Sequence, residues 1–312
     1  MTASFTGEAA RTAPDLFGAI GGTPLLELKR VAREVPGVRL LAKAEHLNPG
    51  GSVKDRPVRA MISDGLERGL LVPGKTILEA TSGNTGIADA MLGRALGFAV
   101  KLCVPAKASV ERKAILKAFG AEIVLTDPLE GADGAIRAAR QLAAREPEKY
   151  FYPDQYSNPA NWRAHFETTG PEIWEQTEGL LTHFVAGLGT SGTFVGVTRY
   201  LKSRSRSVVC VSMQPDGPMH GLEGMKHMGS QIVPPIYDPT LADAERTVAT
   251  EEAYAMCRRL AREEGVFVGP SSAGNVVAAL AVAREARPPA TIVTILCDGG
   301  GRYLSDRFWE QE

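Results

Sequence analysis

Short apolar segments rich in β-branched residues alternate with helix-forming segments along most of this 312-residue chain. The predicted strands cover residues 76–79, 99–104, 122–125, 182–186, 208–213 and 291–296. Amphipathic or alanine-rich stretches, typical of helices, lie at residues 87–96, 110–119, 134–144, 251–264 and 275–286. This alternation predicts an α/β fold with mostly parallel sheets that are flanked by helices on both faces.

Charge and composition limit the classes of partner. The formal net charge is -1 and no block of like charges occurs, so we expect neither nucleic acid nor an acidic membrane surface as a partner. No apolar run is long enough to cross a bilayer, and the N-terminal stretch has no secretory signal, so we expect a cytoplasmic protein. The cysteines are far apart and no histidine stands at metal-ligand spacing, so we expect neither disulfides nor a metal. Those in strand-like runs are predicted to be buried structural thiols: Cys103, Cys210 and Cys297.

Loops rich in glycine, serine and threonine follow three of the predicted strands. They begin just after Glu79, Ala186 and Leu296. In open parallel sheets, ligands bind beyond the carboxyl ends of the strands. The sequence therefore predicts that these loops form a binding site.

Lys54 follows a turn formed by residues 48–51, Asn-Pro-Gly-Gly. Most lysines are solvated surface residues, but this turn and Val53 indicate a segment that is entering buried structure. In a dry pocket the amine loses its proton more easily, and a neutral amine can form a Schiff base with pyridoxal phosphate and then act as a general base. A catalytic lysine and an ordinary surface lysine are both compatible with this segment alone.

The second loop follows an apolar strand and precedes a helix-like segment. Main-chain amides at such a helix start, with three hydroxyls, can bind a phosphate dianion; the residues are Gly189, Thr190, Ser191, Gly192 and Thr193. A flexible turn is the plainer alternative. Residues 187–192 also match G-x-G-x-x-G, which makes a nicotinamide-dependent dehydrogenase a second hypothesis. That match is partial, because the next strand ends in Gln214-Pro215 and the acidic Asp216 comes late.

The first loop, residues 81–86, opens another helix-like segment. Its amides and the hydroxyls of Thr81, Ser82 and Thr85 are suited to an anion such as a substrate carboxylate, whereas an ordinary capped turn is the alternative. Asn84 is in place to bond a ring hydroxyl of the cofactor. Gln155 is either a second ligand of the carboxylate or a surface residue.

Ser271 lies in a Gly-Pro-Ser-Ser-Ala-Gly segment before another helix. It is either a helix N-cap or a hydroxyl partner of the pyridine nitrogen. A neutral hydroxyl there would make the cofactor a milder electron sink, which suits the loss of a β-substituent.

Together these motifs resemble the cysteine synthases, or O-acetylserine and O-phosphoserine sulfhydrylases, of the tryptophan-synthase-β-like (fold type II) pyridoxal-phosphate enzymes. The resemblance extends from Gly21 to Ser305. It implies a homodimer of two-lobed subunits, with residues 48–158 as the smaller N-terminal lobe and residues 1–47 and 159–312 as the larger cofactor-binding lobe.

The same resemblance implies roles for individual residues. Lys54 carries the cofactor, Asn84 lies beside its ring hydroxyl, and the loop from Gly189 to Thr193 binds its phosphate. Ser271, or its neighbour Ser272, meets the ring nitrogen. The substrate carboxylate is held by Ser82, Thr85 and Gln155.

The implied reaction is β-replacement of the acetyl or phospho group of an O-activated L-serine by sulfide, through an α-aminoacrylate intermediate. Residues 219–228 depart from the commonest family pattern, and Gly224 and Lys226 are expected at the substrate. Lys226 resembles the basic residue of members that accept O-phosphoserine, although those carry arginine; a solvent-facing lysine is the alternative.

The sequence leaves the sulfur donor, the protein partner and several alternative functions open. The sulfur donor is sulfide or a sulfur carrier, and a serine acetyltransferase is a possible partner. The alternative functions are a cystathionine β-synthase-like replacement, a dehydrogenase, and a catalytically idle protein that binds pyridoxal phosphate.

Overall fold

The computed structural model describes residues 15–81 and 83–311, and its strands form two sheets. The six-stranded sheet has the order β1-β2-β10-β7-β8-β9, and only the β1–β2 pair within it is antiparallel. Its strands are β1 (Leu25–Glu27), β2 (Val38–Ala44), β7 (His183–Gly187), β8 (Val209–Pro215), β9 (Ala244–Val248) and β10 (Ala290–Leu296). The four-stranded sheet is parallel and has the order β5-β4-β3-β6. Its strands are β3 (Thr76–Ala80), β4 (Ala99–Pro105), β5 (Glu122–Thr126) and β6 (Tyr150–Phe151).

Helices connect the parallel strands. They are α1 (Asp55–Glu67), α2 (Asn84–Ala95), α3 (Val110–Ala118), α4 (Gly131–Arg145), α5 (Pro159–Ala164), α6 (Gly170–Gln176), α7 (Gly192–Arg204), α8 (Thr250–Arg259) and α9 (Pro270–Glu285). Single π-helical turns, His165–Thr169 and Leu260–Glu264, follow α5 and α8. Among the described residues, no helix is long and apolar enough to cross a membrane, and no group of three or more His, Cys, Asp or Glu side chains is arranged to hold a metal ion.

Both sheets bury both faces, as the alternation of strands and helices predicts. Along β7, Phe184 packs with α6 and α7 on one face, whereas the next residue, Val185, packs with α8 and α9 on the other. The four-stranded sheet has α1, α2 and α3 on one face and α4 on the other. The α/β fold class and its mostly parallel sheets are therefore confirmed.

The six predicted strands are all present, with ends that agree within two residues. The predicted helix starts are less accurate. For example, α9 begins at Pro270 rather than at residue 275. Sequence patterns did not reveal four strands and three helices: β1, β2, β6, β9, α1, α5 and α6. In β2 the buried Lys43 interrupts the apolar pattern.

A buried ion-pair network fixes the start of α1, directly after Lys54. The guanidinium of Arg56 is fully buried and donates to both carboxylate oxygens of Glu45 at 2.7 Å and to those of Glu172 at 2.6 and 2.8 Å. Burial alone would raise the pKa of Glu172, but the bonds from Arg56 and Lys43 hold it at about 2. The network thus joins α1 to the ends of β2 and to α6.

Candidate active site

The predicted site residues lie around one cavity of 1360 Å³. This cavity opens beyond the carboxyl ends of strands from both sheets. Its wall includes Lys54, Thr81, Asn84, Thr85, Gln155, Gly189, Thr190, Ser191, Gly192, Thr193, Gly224, Lys226 and Ser271. Ser82 lies outside the described residues.

Lys54 is held by the end of β10. Gly51 turns the chain with φ +77°, a conformation that favours glycine. The amide of Val53 then donates a 2.8 Å hydrogen bond to the carbonyl of Cys297, and Ser52 pairs with Asp298. Burial lowers the pKa of the Lys54 amine below its usual value, an effect that the charge of Asp298 opposes. The neutral amine that covalent chemistry needs is therefore easier to reach here than in water.

The loop between β7 and α7 brings main-chain amides to the cavity. Ser191 adopts a left-handed conformation, φ +67°, directly before the first turn of α7. The first amides of a helix have no partner within it, so they are free to bind an anion. A Cβ on Gly189 would overlap the carbonyl oxygen of Gly224, and a Cβ on Gly192 would overlap the side chain of Asn161. Glycine at both positions is therefore required by close packing.

Two residues that were not predicted from the sequence contact the loop before α7 and support it. Asn161 is buried and donates 2.6 Å to the carbonyl of Gln155 and 3.1 Å to the hydroxyl of Thr190. His165, on the π-helical turn, has one ring nitrogen 3.3 Å from the hydroxyl of Thr193. Burial, followed by the charges of Arg56 and Lys54, lowers the pKa of His165 well below its usual value. The loop therefore rests on a neutral histidine.

The loop after β3 is folded around Thr81, whose hydroxyl accepts hydrogen bonds from the amides of Gly83 at 2.9 Å and Gly86 at 3.1 Å. Thr85 donates 2.7 Å to Oε1 of Gln155, and Nε2 of Gln155 donates 2.6 Å to the carbonyl of Ala80. Both side chains are buried. Thr85 and Gln155 are therefore bonded to each other and to the main chain. Both line the cavity, where their hydroxyl and amide groups could bind an anion.

Asn84 contacts the chain that follows β10. Its amide donates 2.7 Å to Oδ2 of Asp298, which also accepts 2.8 Å from the hydroxyl of Tyr303. Arg302 donates to Oδ1 of Asn84 and to the carbonyl of Gly50. The orientation of the asparagine is therefore fixed by Asp298 and Arg302, which follow β10 of the other sheet.

Ser271 and Ser272 differ in their surroundings. Both lie in the first turn of α9, but Ser271 is part of the cavity wall, whereas Ser272 exchanges 3.3 Å hydrogen bonds with the main chain of Asp298. Cys297, predicted to be a structural thiol, instead follows β10 and lines the cavity. Burial raises the pKa of its thiol to about 12, so the thiol stays protonated.

Lys226 is buried, with only 3% of its surface exposed. Its amide donates 2.8 Å to the carbonyl of Leu188, next to the loop before α7, and its ammonium lies 2.9 Å from Oδ1 of Asp133 on α4. The alternative of a solvent-facing lysine does not describe this side chain. Gly224, two residues earlier, has φ +85° and places its carbonyl against Gly189.

The supporting residues give only weak signals in the sequence. Asn161 and His165 come shortly after Gln155, but their role depends on contacts with a loop about thirty residues downstream. Asp298 stands in the third loop that follows a predicted strand, so its position could have been proposed from the strand-end rule. Asp133 carries no motif, because its only distinguishing feature is its partner, Lys226.

Comparison with known proteins shows the family. The family described as pyridoxal-phosphate dependent enzyme matches residues 16–298. A cysteine synthase of Aquifex aeolicus is 51% identical over 92% of this chain and 89% of its own length. A cysteine synthase B of Pseudomonas aeruginosa is 44% identical over 95% of this chain and 98% of its own. The crystal structure of a cysteine synthase from Entamoeba histolytica superposes with a TM-score of 0.90 at 36% identity, covering 100% of this chain and 95% of that one.

The chain therefore belongs to the pyridoxal-phosphate-dependent enzymes of fold type II, in the group of the cysteine synthases. The resemblance seen in the motifs is thus confirmed, and the dehydrogenase and cystathionine alternatives are not favoured. Asp216, which the dehydrogenase hypothesis would need near the cofactor, is exposed and is not among the described residues that line the cavity.

The residues of the cavity fit pyridoxal phosphate. Close packing at Gly189 and Gly192 brings the main chain of the loop before α7 to the cavity, where it can hold the phosphate. The amine of Lys54 is available to bind the aldehyde, and the hydroxyl of Ser271 can meet the ring nitrogen. The volume of 1360 Å³ leaves space for an amino-acid substrate as well.

Proposed function

We propose that this enzyme replaces the acetoxy or phosphate group on the β-carbon of an O-activated L-serine with sulfur from sulfide or a sulfur carrier, so that acetate or phosphate leaves. Its cofactor is pyridoxal phosphate, and its reaction is a β-replacement that forms cysteine. The observation that carries the assignment of roles is that Lys54 shares one cavity wall with both the loop before α7 and the loop after β3. We propose that these three segments are the covalent anchor, the phosphate site and the carboxylate site.

Lys54 has two roles in this proposal. Its Nζ would hold the cofactor covalently and, once substrate is bound, would receive the proton that leaves the substrate α-carbon. When bound, pyridoxal phosphate supplies the electron sink that allows the β-substituent to leave. The lowered pKa of Lys54 keeps a neutral amine accessible for both roles.

The phosphate and the ring are positioned by separate groups. We assign the phosphate to Gly189, Thr190, Ser191, Gly192 and Thr193, all of which line the cavity. Ser271 would meet the ring nitrogen; its place in the cavity wall favours it over Ser272. Asn84, held by Asp298 and Arg302, would lie beside the ring hydroxyl.

The substrate carboxylate is assigned to Thr81, Ser82, Thr85 and Gln155. Because Thr85 and Gln155 are bonded to each other at 2.7 Å, carboxylate binding must exchange that bond for bonds to substrate. The leaving group is assigned to the cavity wall formed by Gly224 and Lys226.

We further propose that residues 48–158 form a smaller lobe that closes on the rest of the chain and excludes water from the cavity. The separate four-stranded sheet supports this division. Two ion pairs already cross the cavity between the two parts: Arg112 with Glu223, and Lys226 with Asp133.

We also propose a homodimer and a serine acetyltransferase partner, on the resemblance of the motifs, and a cytoplasmic location, on the composition of the chain. The four free cysteines support a reducing compartment. Light scattering of the purified protein tests the dimer, because a single-chain mass would contradict it. A pull-down with a serine acetyltransferase, with and without O-acetylserine as competitor, tests the partner.

Absorbance spectroscopy tests the proposed reaction. The lysine-bound cofactor should absorb at roughly 410 nm, and O-acetyl-L-serine or O-phospho-L-serine should shift this band. Added sulfide should then restore the band and release cysteine. If neither activated serine changes the spectrum, the proposed substrate class is wrong.

A further inference from the structure

The ion pair between Lys226 and Asp133 is the feature of the cavity that the reaction itself does not explain. The ammonium of Lys226 lies 2.9 Å from Oδ1 of Asp133, and it also lies 5.4 Å from the centre of the buried Tyr156 ring. The side chains of Lys226 and Asp133 are 4% and 20% exposed. Ion pairs that are this well shielded from water are screened little by salt, so their charges act strongly on a nearby ligand.

Asp133 is itself held in place. It lies in the first turn of α4, where the helix dipole stabilises a carboxylate. Its second oxygen, Oδ2, accepts a 3.0 Å hydrogen bond from the amide of Ile232. Asp133 therefore cannot turn away from Lys226 without losing a second bond.

The main chain of Lys226 is fixed at the other side of the cavity. Its amide donates to the carbonyl of Leu188, directly before the loop from Gly189 to Thr193. Both ends of the ion pair are thus anchored, one to α4 and one next to the proposed phosphate loop. The pair is preorganised, and its net charge is zero.

We propose that Asp133 is a specificity-determining residue. It sets whether the cavity accepts a substrate with a charged phospho group or one with an uncharged acetyl group. This inference rests on the proposed function. By pairing with Lys226, Asp133 offsets the buried cation that could otherwise bind a phosphate leaving group, and its own carboxylate repels a dianion. An uncharged acetyl ester meets no such penalty, so the cavity favours O-acetyl-L-serine.

The variant Asp133→Asn tests this proposal. Asparagine keeps the shape of the side chain and can still accept from Ile232, but it leaves the charge of Lys226 uncompensated. The ratio of kcat/KM for O-phospho-L-serine to kcat/KM for O-acetyl-L-serine should rise by about ten- to a hundredfold, the range of one charge-assisted hydrogen bond. The rise should come mainly from a lower KM for O-phospho-L-serine.

Glu130→Gln is the matched control. Glu130 precedes α4 and lines the same cavity, but its carboxylate pairs with Arg137 at 2.9 Å. This variant removes the same charge from the same segment, so it measures the general electrostatic effect. The double variant Asp133→Asn/Lys226→Gln should return the ratio to within about threefold of the parent, because it restores a neutral wall.

Three results would overturn the proposal. The first is a parent enzyme that already prefers O-phospho-L-serine. The second is a ratio in Asp133→Asn that rises no more than in Glu130→Gln. The third is a raised ratio that persists in the double variant. Failure of the proposed function looks different, because the parent would then form cysteine from neither donor. Unchanged cofactor absorbance and melting temperature show that each variant is folded and loaded.

Discussion

The hydroxyl of Thr85 donates a 2.7 Å hydrogen bond to Oε1 of Gln155, and this bond joins the first turn of α2 to the segment after β6. Both residues are buried in the wall of the cavity, and both are assigned to the substrate carboxylate. In the proposed carboxylate site these two side chains are therefore bonded to each other, and substrate must compete with this internal bond.

Replacement of this hydroxyl should weaken substrate binding more than it slows chemistry. Thr85→Val keeps the branched shape and removes one donor, so KM for the activated serine should rise by about three- to tenfold, with kcat within about twofold. Steady-state kinetics give both values. The control is Thr126→Val at the end of β5. The hydroxyl of Thr126 is buried and makes no hydrogen bond, so its removal should leave KM unchanged.

Because Gly189 lies so close to the carbonyl of Gly224, we expect any larger residue at position 189 to weaken cofactor binding strongly. Gly189→Ala would push the loop before α7 away from the residues that pack on it, and cofactor affinity should fall at least about a hundredfold. Fluorescence or absorbance titration with pyridoxal phosphate measures this. Gly217→Ala serves as control, because a Cβ there meets no atom within 4 Å. Equal affinities of the two variants would show that the loop does not hold the phosphate.

Asp55, next to Lys54, makes stability depend on pH. Burial raises the pKa of this carboxyl to about 7, although a 2.5 Å bond from the amide of Gly50 and the charge of Arg302 oppose the shift. The folded protein then keeps a proton that the unfolded chain has lost, so the contribution is present at low pH and is lost as pH rises from about 4 to about 7.

The free energy of unfolding should therefore fall through this window with a slope from Asp55 of at most about 1.4 kcal/mol per pH unit. Asp55→Asn should flatten the curve, as measured by urea unfolding between about pH 5 and about pH 8. Asp64→Asn changes a half-exposed carboxyl on the same helix and should keep the parental slope. A parental slope in Asp55→Asn would assign the pH dependence to other groups.

The network around Arg56 should dominate the stability of the region that presents Lys54. Arg56→Ala leaves the carboxylates of Glu45 and Glu172 without their main partner and should cost about 3–5 kcal/mol in the free energy of unfolding. The exposed pair of Arg68 and Asp64 provides the comparison, and Arg68→Ala should change stability by less than about 1 kcal/mol. Similar denaturation midpoints for the two variants would contradict this account.

The strands and the loops of the site can be predicted from the sequence for a physical reason. Buried parallel strands are continuous apolar runs, and the loops that follow them carry glycine and hydroxyl residues in short motifs. For that reason Asn84 and the loop from Gly189 to Thr193 could be proposed before any geometry was known, whereas Lys54 and Ser271 are indicated by the short motifs around them. The common orientation of parallel strands brings such loops to one edge of each sheet.

The residues that brace the site could not be predicted in the same way. Asn161 joins Gln155 to Thr190, and Asp133 holds Lys226 across a sequence separation of 93 residues. Such contacts arise from the relative placement of two sheets, which no local pattern encodes. Strand β2 was not predicted for a related reason, since its buried Lys43 is tolerated because Thr23, Glu172 and Gln176 bond to it.

The covalent role of Lys54 is the central claim, and borohydride reduction tests it most directly. The purified enzyme, saturated with pyridoxal phosphate, is reduced, digested and mapped by mass spectrometry, with Lys54→Ala as the control. We expect one stable pyridoxyl adduct, on the peptide that contains Lys54, and none on that peptide in the variant. An adduct on a different lysine, or a fully reduced parent enzyme without any adduct at Lys54, would contradict the account.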